Sequence, residues 1–439
     1  MKILAIDTSC DDTAVSLLED DRLIKQFVSS QANIQSSWGG VVPVLAQREH
    51  TKRMEWVIAK VLFDCAKQLN LEVEVRNSLR KIIIGGKQQQ ELTEGSHLKG
   101  ATDKSFRGSL ADKLQLENLA LMANPGIDMI AVTVGPGLSI ALGVGIEAVR
   151  ILATSWGIPV AGVNHVEGHL WSALIKNNDG NYLSKQVDRK LRPAIRVSAG
   201  ASPLQYPAMG LIVSGGHTEV VEVQGFGRYQ ILAQTLDDAA GEAFDKFAVM
   251  LGLGYPGGPV VESMAREVIA KGRLTEAREK FPLPVAMQKA KEPAYSFSGL
   301  KTAALYLLQK KLGNQSNQEG SIESASSSLS KDDLALFCAA FQETVIDSIV
   351  LQLRRILQAR KANYSHVLTG GGVMANQRLR SRLRAFGREI GVEFLFPQAK
   401  LLADNASMIG LVGFWQSPNY TEISQLDRNP GLVLNTKSK

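Results

Sequence analysis

The sequence predicts an α/β protein made of two like halves, and two stretches carry that reading. KILAIDTSCDDTAVSLLED, at the start, reads as an apolar strand, a short polar turn beginning at Asp7, and a second strand. AMGLIVSGGHTEVVEVQG, roughly 200 residues later, repeats that order with a Ser-Gly-Gly turn and an alternating strand. Each opening is followed by long helical or mixed sequence, as in a duplicated α/β fold with a cleft between its halves. A chain of 439 residues also exceeds one ordinary core, so two domains are expected.

The bulk composition, 45% hydrophobic and 21% charged, is that of a soluble globular chain. The longest apolar stretch, IDMIAVTVGPGLSIALGVGIEAVRILA, is cut by Pro136 and several glycines and carries Glu147 and Arg150. It reads as strand, loop and helix, so no membrane span is expected. Met1 runs straight into the strand-like KILAID without a signal-peptide layout. Cys10, Cys65 and Cys338 are odd in number and far apart, which suits a reducing cytoplasm and gives no CxxC zinc site. Net charge is +6, with basic residues gathered at 76–107 and in RLRSRLRAFGRE, which holds Arg378, Arg380, Arg382, Arg384 and Arg388. Such patches suit a phosphate backbone, and equally a solvated helix face.

Glycine marks a third turn. HVLTGGGVMANQRLR passes from an apolar strand through Gly370, Gly371 and Gly372 into an Arg-rich helix. Glycines let the backbone approach a ligand, and the helix start offers unpaired N–H donors. With SGGH and the N-terminal turn it makes three candidate phosphate or nucleotide loops. TLDDAAGEAFDKFAVMLGLGYPGGP places Asp237, Asp238, Glu242 and Asp245 on an expected helix, ahead of a turn through Gly257 and Gly258. Asp238, Glu242 and Asp245 would share one face, suited to ribose hydroxyls or to solvent. No GxxxxGK[ST] or strand-following GxGxxG occurs, which removes Walker and Rossmann readings. Segments 84–118, 176–196 and 313–331 read as polar insertions, the last with linker composition.

VNHVEGHL sets His165 and His169 four apart, and Asn164 is placed to cap a helix there. Residues so spaced share a helical face and can share an ion; the spacing alone also fits two hydrogen-bonded core histidines. A zincin needs HExxH, whereas the carboxylate here is Glu167, turned by roughly 200° from His165. Two imidazoles leave an ion short of ligands. The best further candidate is Asp404 in KLLADNASMIG, an acid that could instead serve only as a helix cap. A His-His-Asp set with open positions suits Fe(II) or Zn(II).

SCDDT (9–13), GGVVP (39–43), GPGL (135–138), HVEGH (165–169), SGGHTE (214–219), DDAAGEAFDK (237–246), YPGGP (255–259), SFSGLKT (296–302), GGVMAN (371–376) and DNASM (404–408) follow one another in this order. Together they resemble the TsaD family of tRNA threonylcarbamoyltransferases, over nearly the whole chain apart from the three insertions. The resemblance implies an actin/Hsp70-like (ASKHA) fold of two RNase-H-like lobes with a central nucleotide and metal cleft. The N-terminal lobe would take 1–208 completed by 405–439, and the C-terminal lobe 209–404. It implies transfer of threonylcarbamoyl from threonylcarbamoyl-AMP to N6 of adenosine 37, in tRNAs reading ANN codons. By similarity His165, His169 and Asp404 would bind one divalent metal, iron or zinc. Ile212, Val213, Ser214, Gly215 and Gly216 would meet the adenylate, Asp245 the ribose, and Gly258 and Asn376 would line the nucleotide pocket. By the same similarity Asp11 lies in the family's catalytic N-terminal turn. An inactive TsaB-type paralogue and a TsaE-type P-loop ATPase are the implied partners beside tRNA, in the cytoplasm. The chain departs from the family at Asp12, where bacterial members usually show Glu, at Val44, which replaces an acid, and at Asn164, where a His is common.

Two other classes remain on the sequence alone. An ATPase or small-molecule kinase of the same fold would not need the His-His-Asp set, because its Mg²⁺ sits on phosphates. A non-catalytic paralogue would be expected to have lost it.

Overall fold

The computed structural model describes residues 1–94, 110, 114, 116–184, 204–312, 329–360 and 364–434. The chain divides into two compact units, Met1–Pro203 with Asp404–Leu434, and Leu204–Ala403. The divisions fall at 203/204 and 403/404, so Asp404 and residues 204–208 stand on the opposite side of the boundary from the one expected at 208/209 and 404/405. The reason is local: Leu204 leads into the first strand of the second unit, whereas Asp404 is bonded to a histidine of the first.

In the first unit the strands are β1 (Lys2–Asp7), β2 (Asp12–Glu19), β3 (Arg22–Ser30), β4 (Met129–Gly135) and β5 (Val160–Asn164). They stand in the order β3-β2-β1-β4-β5, the first three antiparallel and the last two parallel to β1. The second unit has β6 (Ala208–Val213), β7 (Thr218–Gly225), β8 (Arg228–Gln234), β9 (His366–Gly370) and β10 (Glu393–Leu395). Its order, β8-β7-β6-β9-β10, repeats the first with the same senses. One topology used twice is the duplicated α/β fold that the strand–turn–strand openings led us to expect, and it agrees with the actin/Hsp70-like fold that the family resemblance implies.

Leu4, Ile6, Val15 and Leu17 point from the first sheet into a core shared with helices Pro43–Asp64 and Ser139–Trp156. The second unit packs around the 29-residue helix Lys331–Ala359, where Phe341 stacks on Phe247 with ring centroids 3.8 Å apart. The helices Ser139–Trp156 and Lys331–Ala359 are long and apolar enough to cross a membrane, yet most of each is buried in these cores. Residues 84–94, read as part of an aperiodic insertion, instead continue the helix Val73–Glu94. The run KIIIGG holds apolar residues close enough to the preceding helical pattern that Ile82 and Ile83 still pack on the core. Most of 95–115, 185–196 of the second insertion and 313–328 of the third lie outside the described residues.

Candidate metal centre and glycine cradle

The histidine pair is placed by capping and by small residues. Asn164 ends β5, and its Oδ1 accepts from the backbone N–H of Val166 and Glu167, which starts the helix His165–Trp171. His165 and His169, one turn apart, therefore face the same way, their rings edge to face at 4.6 Å. Glycines bring the third group in. In the helix Ala406–Gln416, a Cβ on Gly413 would stand 2.7 Å from the Ala131 side chain, and one on Gly168 would stand 2.9 Å from Met408. Only glycine lets this helix lie flush on the sheet and against the histidine helix. Asn405 supplies its N-cap by accepting from Met408 N–H, so Asp404, one residue earlier, is released from capping duty. The sequence left that choice open; the structure gives the cap to the asparagine.

Asp404 Oδ1 lies 3.3 Å from His165 Nε2 and 3.1 Å from His169 Nε2. Among the described residues these three form the one His/Cys/Asp/Glu group compact enough for an ion, their ligand atoms all within 4.8 Å. Glu167 is buried and does not belong to it. Burial opposes charge on both imidazoles. At His165 the Asp404 and Asp7 carboxylates outweigh burial and push the pKa up to about 10, while His169, burdened also by its neighbour's charge, is lowered. Asp404, despite its partial burial, is held well below the usual carboxylate range by the two imidazoles. Two nitrogens and one carboxylate oxygen aimed at a common point fit a borderline divalent ion such as iron or zinc.

Sequence reasoning missed Asp7 and His50. Asp7 Oδ2 is 3.5 Å from His165 Nδ1, and its Oδ1 accepts from Thr133 and from Ser9 N–H. The signal was there, an acid closing an otherwise apolar strand. His50 bridges the turn that carries Asp11, its Nε2 3.0 Å from the Cys10 carbonyl and its Nδ1 2.7 Å from Thr13 Oγ1. A carbonyl only accepts, so Nε2 bears the hydrogen and Nδ1 accepts from Thr13. Burial lowers this imidazole to about 4 and keeps it neutral. Burial, with Asp404 nearby, raises Asp11, and burial with Asp11 nearby raises Asp12 to about 7.

In the second unit three glycine-bearing segments meet. Ser214 accepts from His217 N–H through Oγ and from Gly241 N–H through its carbonyl. A Cβ on Gly241 would stand 2.7 Å from that carbonyl. One on Gly371, whose φ is +93°, would collide with the Val213 carbonyl. Gly215 and Gly216 are exposed and open, as is the space a Cβ on Gly258 would take. Ile212 and Val213 turn their side chains into the unit. The acids divide their tasks. Asp237 and Asp238 precede the helix, which begins only at Ala240, contrary to the expected placement, because the chain is still extended at Ala239. Asp237 accepts from the Ser296 and Ser298 hydroxyls and the Phe297 amide, and Asp238 and Glu242 share Lys246. Asp245 Oδ1 accepts from Gly257 N–H at 2.7 Å, fixing the start of the helix that carries Gly258. Asn376 caps its helix through Leu379 N–H and donates to Gln342, so both ends of its amide are engaged.

A family model described as tRNA N6-adenosine threonylcarbamoyltransferase (TsaD) matches residues 115–183 and 193–411. A protein of that name from Anaeromyxobacter sp. (strain Fw109-5) is 35% identical over 415 residues, 94% of this chain and 93% of its own length. Another, from Thermodesulfovibrio yellowstonii, is 34% identical over 414 residues, 94% of each chain. Among solved structures, full-length HypF in its phosphate- and nucleotide-bound form is similar at a TM-score of 0.42 and 12% identity, over 94% of this chain and 46% of that one.

Proposed function

We infer the reaction from one premise: the chain belongs to the TsaD family of tRNA N6-adenosine threonylcarbamoyltransferases. It is an acyltransferase that acts on tRNA, and the kinase and non-catalytic alternatives are not favoured. The donor we propose is threonylcarbamoyl-AMP, and the acceptor N6 of adenosine 37 in tRNAs reading ANN codons. The observation that carries the catalytic reading is the meeting of Asp404 with His169 across 235 residues of sequence.

In this reading His165, His169 and Asp404 hold one divalent ion, iron or zinc, which when bound supplies Lewis acidity to a carbonyl oxygen. Asp7 steadies His165 from behind, as carboxylates do for ligating imidazoles. The open Ser214–Gly216 turn and the neighbouring helix start at Ala240 offer backbone N–H groups to the adenylate phosphate. Asp245 meets the ribose, beside Gly258. Asn376 lines the same pocket through its backbone, its side chain being engaged. A new bond forms between N6 and the carbamoyl carbon, the carbon–oxygen bond to phosphate breaks, AMP leaves, and Asp11 takes the N6 proton. Holding an exocyclic amine in line with the anhydride supplies much of the acceleration, since the amine is a weak nucleophile. As partners we propose a catalytically inactive paralogue and a P-loop ATPase, in the cytoplasm.

The test is direct. The purified chain is incubated with threonylcarbamoyl-AMP and unmodified tRNA, with and without chelator, and the nucleosides are analysed by mass. Modified adenosine in the first case and its loss in the second support the reading; turnover indifferent to chelation and to His169→Ala would remove the metal from it.

A further inference from the structure

The helix Gln377–Ile390 carries five arginines, and its two sides have different fates. Arg378 and Arg382 turn inward to Glu343, a fully buried carboxylate, and Arg382 also reaches Asp347 at 2.8 Å. Their charge is spent inside the protein. Arg380 and Arg384, one turn apart on another face, both stack on a single ring: their guanidinium carbons lie 4.9 and 4.8 Å from the centroid of the buried Phe396. No ion pair to a carboxylate holds either among the described residues. Arg380 Nε is buried without a hydrogen-bond partner. Burial, and then the charge of Arg384, lower the Arg380 pKa. Arg388 continues the same face one turn further and is exposed. Lys400 is exposed on the short helix Ala399–Leu401 that follows Phe396.

Two like charges held against one ring and left without a counter-ion are costly unless an anion completes them. Contact with the ring restrains both guanidinium groups, so less side-chain entropy is lost when an oxyanion arrives. The location is informative too. β10 runs parallel to β9, so Phe396, just beyond β10, lies at the same end of the sheet as the Gly370–Asn376 turn.

We propose that Arg380 and Arg384, with Phe396 beneath them, form a binding site for the phosphate backbone of the tRNA substrate, extended by Arg388 and Lys400. This rests on the tRNA reading above and names a surface for it. Backbone phosphates rather than a free nucleotide are favoured, because the row of cations continues along the helix for two turns.

The experiment measures binding of unmodified tRNA to the full chain across a salt series, for the native protein, Arg380→Gln/Arg384→Gln, Arg380→Lys/Arg384→Lys, and Arg354→Gln. Arg354 is an internal control, paired with Glu389. The Gln double variant should bind severalfold more weakly, and the slope of log affinity against log salt should fall by about one for each arginine removed. The Lys double variant should keep most of the slope, and Arg354→Gln all of it. KM for tRNA should rise in the Gln variant while turnover at saturating tRNA holds. A Gln variant that folds and binds with the native slope would overturn the proposal, as would a Lys variant that loses as much as Gln. A native chain that binds no tRNA at any salt would instead defeat the functional reading itself.

Discussion

His50 donates to the carbonyl of Cys10 from deep within the first unit, and so pins the turn that carries Asp11. Removing it leaves that carbonyl and the Thr13 hydroxyl without partners. His50→Ala should therefore cost about 2–4 kcal/mol of stability, read by urea denaturation. Its transfer rate should fall with metal content unchanged, and His50→Gln should recover part of both. Loss of stability with native turnover per folded molecule would reduce His50 to a packing residue.

Asp404→Ala should abolish stoichiometric metal, measured by elemental analysis of protein purified under reducing conditions, and with it acyl transfer. Affinity for tRNA should be preserved, since the arginine face lies in the other unit. Asp7→Asn keeps the shape but withdraws the charge behind His165, and should weaken metal binding by about 10–100-fold.

Glu219, on β7, is raised by burial to about 7. A carboxylate so raised costs nothing below about 4.5, its ordinary value, and its penalty grows as pH rises through 7. Glu219→Gln should match the native protein in thermal stability near pH 4.5 and exceed it at pH 8 by about 2–4 kcal/mol. Equal denaturation midpoints at pH 8 would show that the carboxylate finds a partner when ionised.

Glu343 is the hub of the arginine pairs, and Glu343→Gln strands the Arg378 guanidinium and leaves Arg382 with Asp347 alone. A loss of about 3–5 kcal/mol is expected in calorimetry. Unchanged stability would mean that Arg378 and Arg382 reach solvent freely, and would erase the contrast between the two sides of their helix.

Much of this was legible beforehand. Short apolar runs separated by polar or Ser-Gly-Gly turns located β1, β2, β6 and β7, because strands covered on both faces are apolar along almost their whole length. The His165–His169 spacing, with Asn164 before it, gave the helix and its cap. What composition hid was partnership. Asp404 against Asn405 as cap is decided by a single hydrogen bond, and both residues are good caps. The acids of DDAAGEAFDK looked like one face, yet the helix starts too late to align Asp238 with the rest. RLRSRLR read as one basic patch, and only the position of Glu343, some 35 residues upstream, divides it. Asp7 and His50 act through contacts that no local spacing encodes.

The helix Ala406–Gln416 closes the first unit from the far end of the sequence and carries Asp404 at its threshold. During synthesis, then, the two imidazoles emerge long before their carboxylate, and must wait while the whole second unit is made. If the three groups hold an ion as proposed, a nascent or prematurely ended chain can own every proposed nucleotide loop and still lack one of the ion's ligands. Completion of translation is in that sense built into the centre as a licence, and a stop codon anywhere before residue 404 should yield a protein that is inert rather than half-active.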